Sequence, residues 1–153
     1  MKSNFQILSI ILIFLVSCNK NKNTQNSKIH PLSPYHYKFN DTDDNLNNIN
    51  YYFLSGTFEI DENLKKLLKD FIDDYSKNEN DNYAYNSVYI YKETNFLNEN
   101  YKGDKSSFDG RNKELIAYVR FNYKEIDIFY LLDQGNVIFD FVKNKEVDFE
   151  FEQ

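Results

Sequence analysis

Apolar and polar side chains alternate along the chain from Tyr52 to Ile60. Tyr52, Leu54, Phe58 and Ile60 fall on one side, and Ser55, Thr57 and Glu59 on the other. Period two predicts a half-buried strand, with Gly56 marking a bulge or a close backbone approach. The period then lengthens. Asp61 stands where a helix needs a side-chain oxygen to cap its first free N–H groups. After it, Leu64, Leu67, Leu68, Phe71, Ile72 and Tyr75 recur at three and four residues, one apolar stripe on a helix. The opposite face is charged, with Glu62–Lys66, Lys66–Asp70 and Lys69–Asp73 spaced for ion pairs one turn apart. Asn78–Asn82 ends the helix, and Tyr85–Glu93 is a second strand. Val88 and Ile90 lie on one of its faces, with Tyr85, Tyr89 and Tyr91 on the other.

Thr94–Asn112 is a long polar loop with Gly103 and Gly110, and a meander follows it. A turn centred on Lys124-Glu125 pairs Tyr123 with Ile126, Phe121 with Ile128, Val119 with Tyr130 and Ala117 with Leu132. A two-residue turn at Gln134-Gly135 pairs Leu132 with Val137, Tyr130 with Phe139 and Ile128 with Phe141. Both hairpins build one apolar face, and a one-residue slip of the second would bring Asp140 into it. Val147-Asp148-Phe149-Glu150-Phe151-Glu152 alternates as a last strand, and joins that face only across a connection of odd length such as Asn144–Glu146. The expected architecture is α+β, with one helix packed on a curved antiparallel sheet of about five or six strands. This order of elements resembles the cystatin-like roll. The resemblance is architectural, because the chain carries no cystatin inhibitory motif, and a fold does not fix a function.

Ahead of this domain the pattern changes twice. Lys2 and the apolar run Phe5–Val16 have the form of a secretory signal. At about 1.5 Å per residue, those twelve residues make a helix of roughly 18 Å, against a hydrocarbon core of about 30 Å. The run closes on Leu15-Val16-Ser17-Cys18, which resembles the lipobox of bacterial lipoproteins: Leu, any residue, a small residue, then Cys. The resemblance covers residues 1–18 and implies removal of 1–17, attachment of diacylglycerol to Cys18, and an envelope location. In many diderm bacteria, Asp after the cysteine retains such proteins in the inner membrane. Asn19 therefore points to the outer membrane, facing the periplasm. Residues 19–50 are dominated by Asn, Lys, Ser and Asp and hold the only two prolines, Pro31 and Pro34. Residues 18–50 read as a lipidated cysteine and a tether reaching about 30 Å, with Tyr35, Tyr37 and Phe39 as a short strand within it. Residues 51–153 read as the single folded domain.

Charge narrows the partners. The formal charge is −6, and losing Lys2 makes the mature chain more negative still. An acidic protein without a basic cluster has no electrostatic means of holding nucleic acid, and charge would not draw it to anionic lipid. Membrane attachment then rests on acyl chains, at about 0.8 kcal/mol per buried CH₂. With its one cysteine lipidated, the domain is held by its core alone. Its 13 tyrosines and 14 phenylalanines follow more readily from A/T-rich codons, shared with Asn, Lys and Ile, than from selection for binding.

The chain offers little for catalysis. Both histidines, His30 and His36, lie in the tether, away from any serine or cysteine nucleophile of the domain. They read as solvated linker residues, since a zinc site needs three or four ligands. Asp41-Thr42-Asp43-Asp44-Asn45 begins like an EF-hand loop, but Leu46 stands where Gly is needed and Tyr52 where Glu is needed. No cofactor or metal is expected. Asp70, Asp73 and Asp74 supply the carboxylates for an alternative reading, a hydrolase of envelope glycans. A purely structural envelope component is the other alternative. The preferred reading is a non-catalytic binding or inhibitory module for a protein or an envelope polymer. One concrete form is an immunity-type domain that neutralises an incoming toxin. Its expected surface is the far side of the meander, where Ile116, Tyr118, Arg120, Phe129, Leu131 and Ile138 point away from the helix. Tyr118, Arg120, Phe129 and Leu131 form its centre, with the composition of a protein-binding hot spot. The competing reading folds the 94–112 loop or the 35–39 segment over that face as a second small core.

Overall fold

A computed structural model describes residues 27–40, 46–78, 83–103, 108 and 110–152, without the side chains of 33–40. Cys18, the signal-like segment and the Asp41–Asn45 run lie outside the described residues. The elements follow in the order β1 (Lys28–Asn40), β2 (Leu46–Ser55), α1 (Glu62–Asn78), β3 (Tyr85–Lys92), β4 (Leu115–Asn122), β5 (Glu125–Asp133), β6 (Asn136–Asp140) and β7 (Lys145–Glu150). They form one sheet in which each strand neighbours the next in sequence.

The expectation of a fully antiparallel sheet of five or six strands, in the manner of a cystatin roll, is corrected here. The sheet has seven strands, and β2 and β3 run parallel. The broader α+β description holds. Two physical causes account for the difference. A helix between two neighbouring strands carries the chain back to its starting edge, which is how parallel pairs are connected. And the Asn- and Pro-rich segment read as tether supplies β1 and the first half of β2. β1 is an edge strand with a register shift between Pro31 and His36, the setting in which a sheet tolerates proline. His30, expected to be solvated, is held there: its Nε2 lies 3.0 Å from Ser55 Oγ, and its ring stacks on Phe53 at 5.0 Å.

Helix α1 forms as its sequence predicts. Asp61 Oδ1 accepts from the backbone N–H groups of Asn63 and Leu64, both at 2.9 Å. These bonds, the Leu64 one foremost, hold the Asp61 carboxyl below its usual range. Leu64, Leu68, Ile72 and Tyr75 are buried against Tyr52, Leu54, Val88, Ile90, Val119 and Phe121. At its C-terminal end the helix covers a polar cluster. Asn48, Asn50 and Asn86 are buried there, and Asn86 Oδ1 accepts from Asn48 Nδ2 at 3.2 Å, Asn50 Nδ2 at 3.1 Å and the Tyr75 hydroxyl at 3.0 Å.

The other sheet face carries a second core. Tyr51, Phe53, Tyr91, Leu115, Tyr118, Leu132 and Val137 are buried there beneath Leu97, Tyr101 and Phe108 of the loop between β3 and β4. Thr94 Oγ1 shapes that loop by accepting from the Phe96 and Leu97 N–H groups. Val147 and Phe151 pack on this face too, because the turn between β6 and β7 has the even length of four residues.

Candidate functional site

The first hairpin decides which residues face which way. Its turn is Tyr123-Lys124, with Tyr123 at φ 53°, so that Asn122 pairs with Glu125 and Phe121 with Ile126. The register then shifts: Arg120 pairs with Ile128, leaving Asp127 as an extra residue on β5. Such a bulge reverses the facing of everything beyond it. Phe129 and Leu131, 4 % and 0 % exposed, therefore turn into the core under α1. Tyr118 and Arg120 stay on the opposite face. The expected group Tyr118, Arg120, Phe129 and Leu131 is thus divided between the two faces of the sheet. Ile116 and Ile138 also pack with the core under α1.

The second hairpin turns at Gln134-Gly135, both with positive φ, and pairs Leu132 with Val137. A further bulge then pairs Tyr130 with Asp140 and Leu131 with Phe139. Asp140 is buried, but its carboxylate accepts from the Lys143 N–H at 3.0 Å and binds Lys143 Nζ at 3.0 Å.

On the second face, Ile128 and Tyr130 take the places expected for Phe129 and Leu131. Tyr51 pairs with Tyr89, Tyr89 with Tyr118 and Tyr118 with Tyr130. One row of tyrosines crosses four strands. Tyr51 and Tyr89 stack at 5.3 Å, and Tyr89 and Tyr118 lie 4.9 Å apart at 42°. Burial, then the neighbouring Tyr118, Tyr51 and Tyr91, raises the Tyr89 hydroxyl above its ordinary range and keeps it protonated. Phe108 covers one end of the row, stacked on Tyr51 at 4.1 Å and 6°. Away from the loop, Ile49, Tyr89, Ile128 and Tyr130 are half-buried, and Tyr85 is 45 % exposed. Beside them Arg120 holds Asp127, Nη2 to Oδ2 at 2.7 Å. The open half of this face is the strongest candidate site. Its signal was present in the sequence as Tyr85, Tyr89 and Tyr91 on one strand face; the β5 contribution was hidden by the bulge.

A second concavity lies between α1 and β6, with a volume of about 380 Å³. Phe139 and Phe141 line it, and Lys65 places its ammonium 4.1 Å from the centre of the Phe139 ring. Lys65 also binds Glu62 at 2.8 Å, and Lys66 binds Asp70. Of the carboxylates considered for hydrolysis, Asp70 is engaged by Lys66 and Asp74 by Asn78 Nδ2 at 2.9 Å; all three, with Asp73, are exposed. Among the described residues no group of three His, Cys, Asp or Glu side chains could hold a metal ion, and no helix is long and apolar enough to cross a membrane.

No protein-family model, curated protein or solved structure matches this chain.

Proposed function

We propose that this chain is a lipid-anchored lipoprotein of the bacterial envelope, held through Cys18 and facing the periplasm from the outer membrane. Its folded part binds a protein partner without catalysis, and inhibition of an incoming toxin is one concrete form of that role. The observation that carries the binding reading is the tyrosine row Tyr51–Tyr89–Tyr118–Tyr130, half covered by its own loop. The ring geometry favours protein over glycan. A sugar stacks on an open aromatic face, whereas Tyr51 and Tyr89 turn their faces to each other. What such a row offers to a ligand is ring edges and hydroxyls, beside a guanidinium, and Tyr and Arg dominate protein hot spots.

Two measurements test the two parts of the proposal. Cys18→Ala should abolish incorporation of an alkyne fatty acid, because no other thiol exists to accept it; persistent label would end the lipoprotein reading. A photo-crosslinking residue at position 128, on the open half of the tyrosine face, should give a discrete adduct in intact cells, and the same residue at position 73 on α1 should not. Equal adducts at both positions, or none at 128, would remove the binding surface from this face.

A further inference from the structure

β7 is the outer strand of the sheet, and its residues are exposed throughout except for a half-buried Val147. An outer strand leaves alternate backbone N–H and C=O groups unpaired, which makes it a template for another strand. The two sides of this template differ. Val147 and Phe151 pack on the tyrosine face, and Phe149, 43 % exposed, meets the Tyr130 ring edge-on at 5.5 Å. By strand alternation Glu146, Asp148 and Glu150 lie on the other side, all exposed. None of the three has an ion-pair partner among the described residues.

The charge pattern selects the occupant. Two copies of β7 pairing antiparallel would set carboxylate opposite carboxylate, which is unfavourable at cross-strand distance. The same pattern accepts an extended segment in which Lys or Arg alternates with apolar residues. Its cations would meet the three carboxylates, and its apolar side chains would continue the surface begun by Val147 and Phe149. The other sheet edge is unsuited to this, because β1 carries Pro31 and Pro34 and a register shift between them and β2.

We infer that the β7 edge binds a basic, extended segment of a partner protein by strand addition. This does not depend on what occupies the tyrosine face, so either reading can fail without the other.

The test uses the full chain in detergent and the fluorescent peptide Lys-Val-Lys-Phe-Lys-Val-Lys. The peptide should bind saturably and slow amide hydrogen exchange across Lys145–Glu150 by about tenfold or more, as a closed hydrogen-bonded edge requires. Methylating alternate peptide nitrogens keeps every charge but removes the donors of a ladder, and should weaken binding by about tenfold or more, the effect of roughly 1.4 kcal/mol. The double variant Asp148→Lys, Glu150→Lys should lose the basic peptide and gain Glu-Val-Glu-Phe-Glu-Val-Glu. Since both side chains are exposed, its unfolding midpoint should match that of the parent. Equal binding of the methylated peptide would mean charge attraction alone and would overturn strand addition. So would unchanged exchange in β7, or protection of β7 that rises with protein concentration before any peptide is added.

Discussion

Arg120 grips Asp127 across the β4–β5 ladder, with Nη2 2.7 Å and Nε 3.1 Å from the same carboxylate oxygen. Asp127 is the residue that the ladder leaves unpaired, so the ion pair sits on the bulge that sets the facing of β5. The contact itself is half in water, and the Arg120 guanidinium, bonded chiefly by Asp127, is held above its ordinary range. Arg120→Ala should therefore cost no more than about 1 kcal/mol. Deleting Asp127 would only heal the bulge, because Phe121–Ile126 and Arg120–Ile128 stay paired without it. Inserting an alanine between Ile128 and Phe129 should be far worse. The insertion would carry Phe129 and Leu131 off the core under α1 and put the alanine and Tyr130 in their place, so a loss of several kcal/mol is expected. Urea melts compare Arg120→Ala with the insertion, and similar midpoints would show that the register of β5 does not set its facing.

Helix α1 was legible because its signals are local: Asp61 stands one residue ahead of the helix, and its stripe repeats within four residues. The Gln134-Gly135 turn was legible for the same reason, since both residues take positive φ at a position where glycine is favoured. The bulge at Asp127 was not, because an acidic residue flanked by Ile126 and Ile128 reads as ordinary alternation. Only the pull of Arg120 from the neighbouring strand marks it as extra. Asn47, Asn48 and Asn50 were equally opaque. Asparagine is depleted in strands, and these three form one only because their partners lie on β3 and α1.

The asparagine cluster gives the second prediction. Asn86 is 0 % exposed and supplies the oxygen shared by Asn48, Asn50 and Tyr75. Asn86→Ala should remove that shared acceptor from a buried site and cost roughly 2–4 kcal/mol. Asn98 is half-exposed and bonds only within its own loop, so Asn98→Ala should cost under about 1 kcal/mol. Thermal denaturation followed by circular dichroism distinguishes them, and a neutral Asn86→Ala would mean the cluster is not a structural tie.

Phe108 closes the second core from the loop side, 3 % exposed and stacked on Tyr51. Phe108→Ala should cost about 3–5 kcal/mol. Val142, 51 % exposed in the β6–β7 turn, should tolerate alanine within about 0.5 kcal/mol. If the two variants melt together, the loop rests on the sheet without anchoring it. The tyrosine face would then be open along its whole length.

The last prediction concerns pH. Burial acts to raise the Asp140 carboxyl, but the hydrogen bonds from the Lys143 N–H and ammonium outweigh it and hold the group below its usual range. An unfolded Asp titrates near 3.9, so below that pH the unfolded chain binds a proton that the folded chain resists. The stabilisation is complete above about pH 4 and fades as pH falls through the folded value. Asp140→Asn keeps the size of the side chain but removes the charge, and should lose roughly 1–3 kcal/mol at pH 7. The gap between parent and variant should narrow below about pH 4, where the parent carboxylate is itself being neutralised. Urea midpoints of both chains from pH 7 to pH 3 measure that gap. A constant difference would mean that Asp140 contributes through packing and neutral hydrogen bonds, not through its charge.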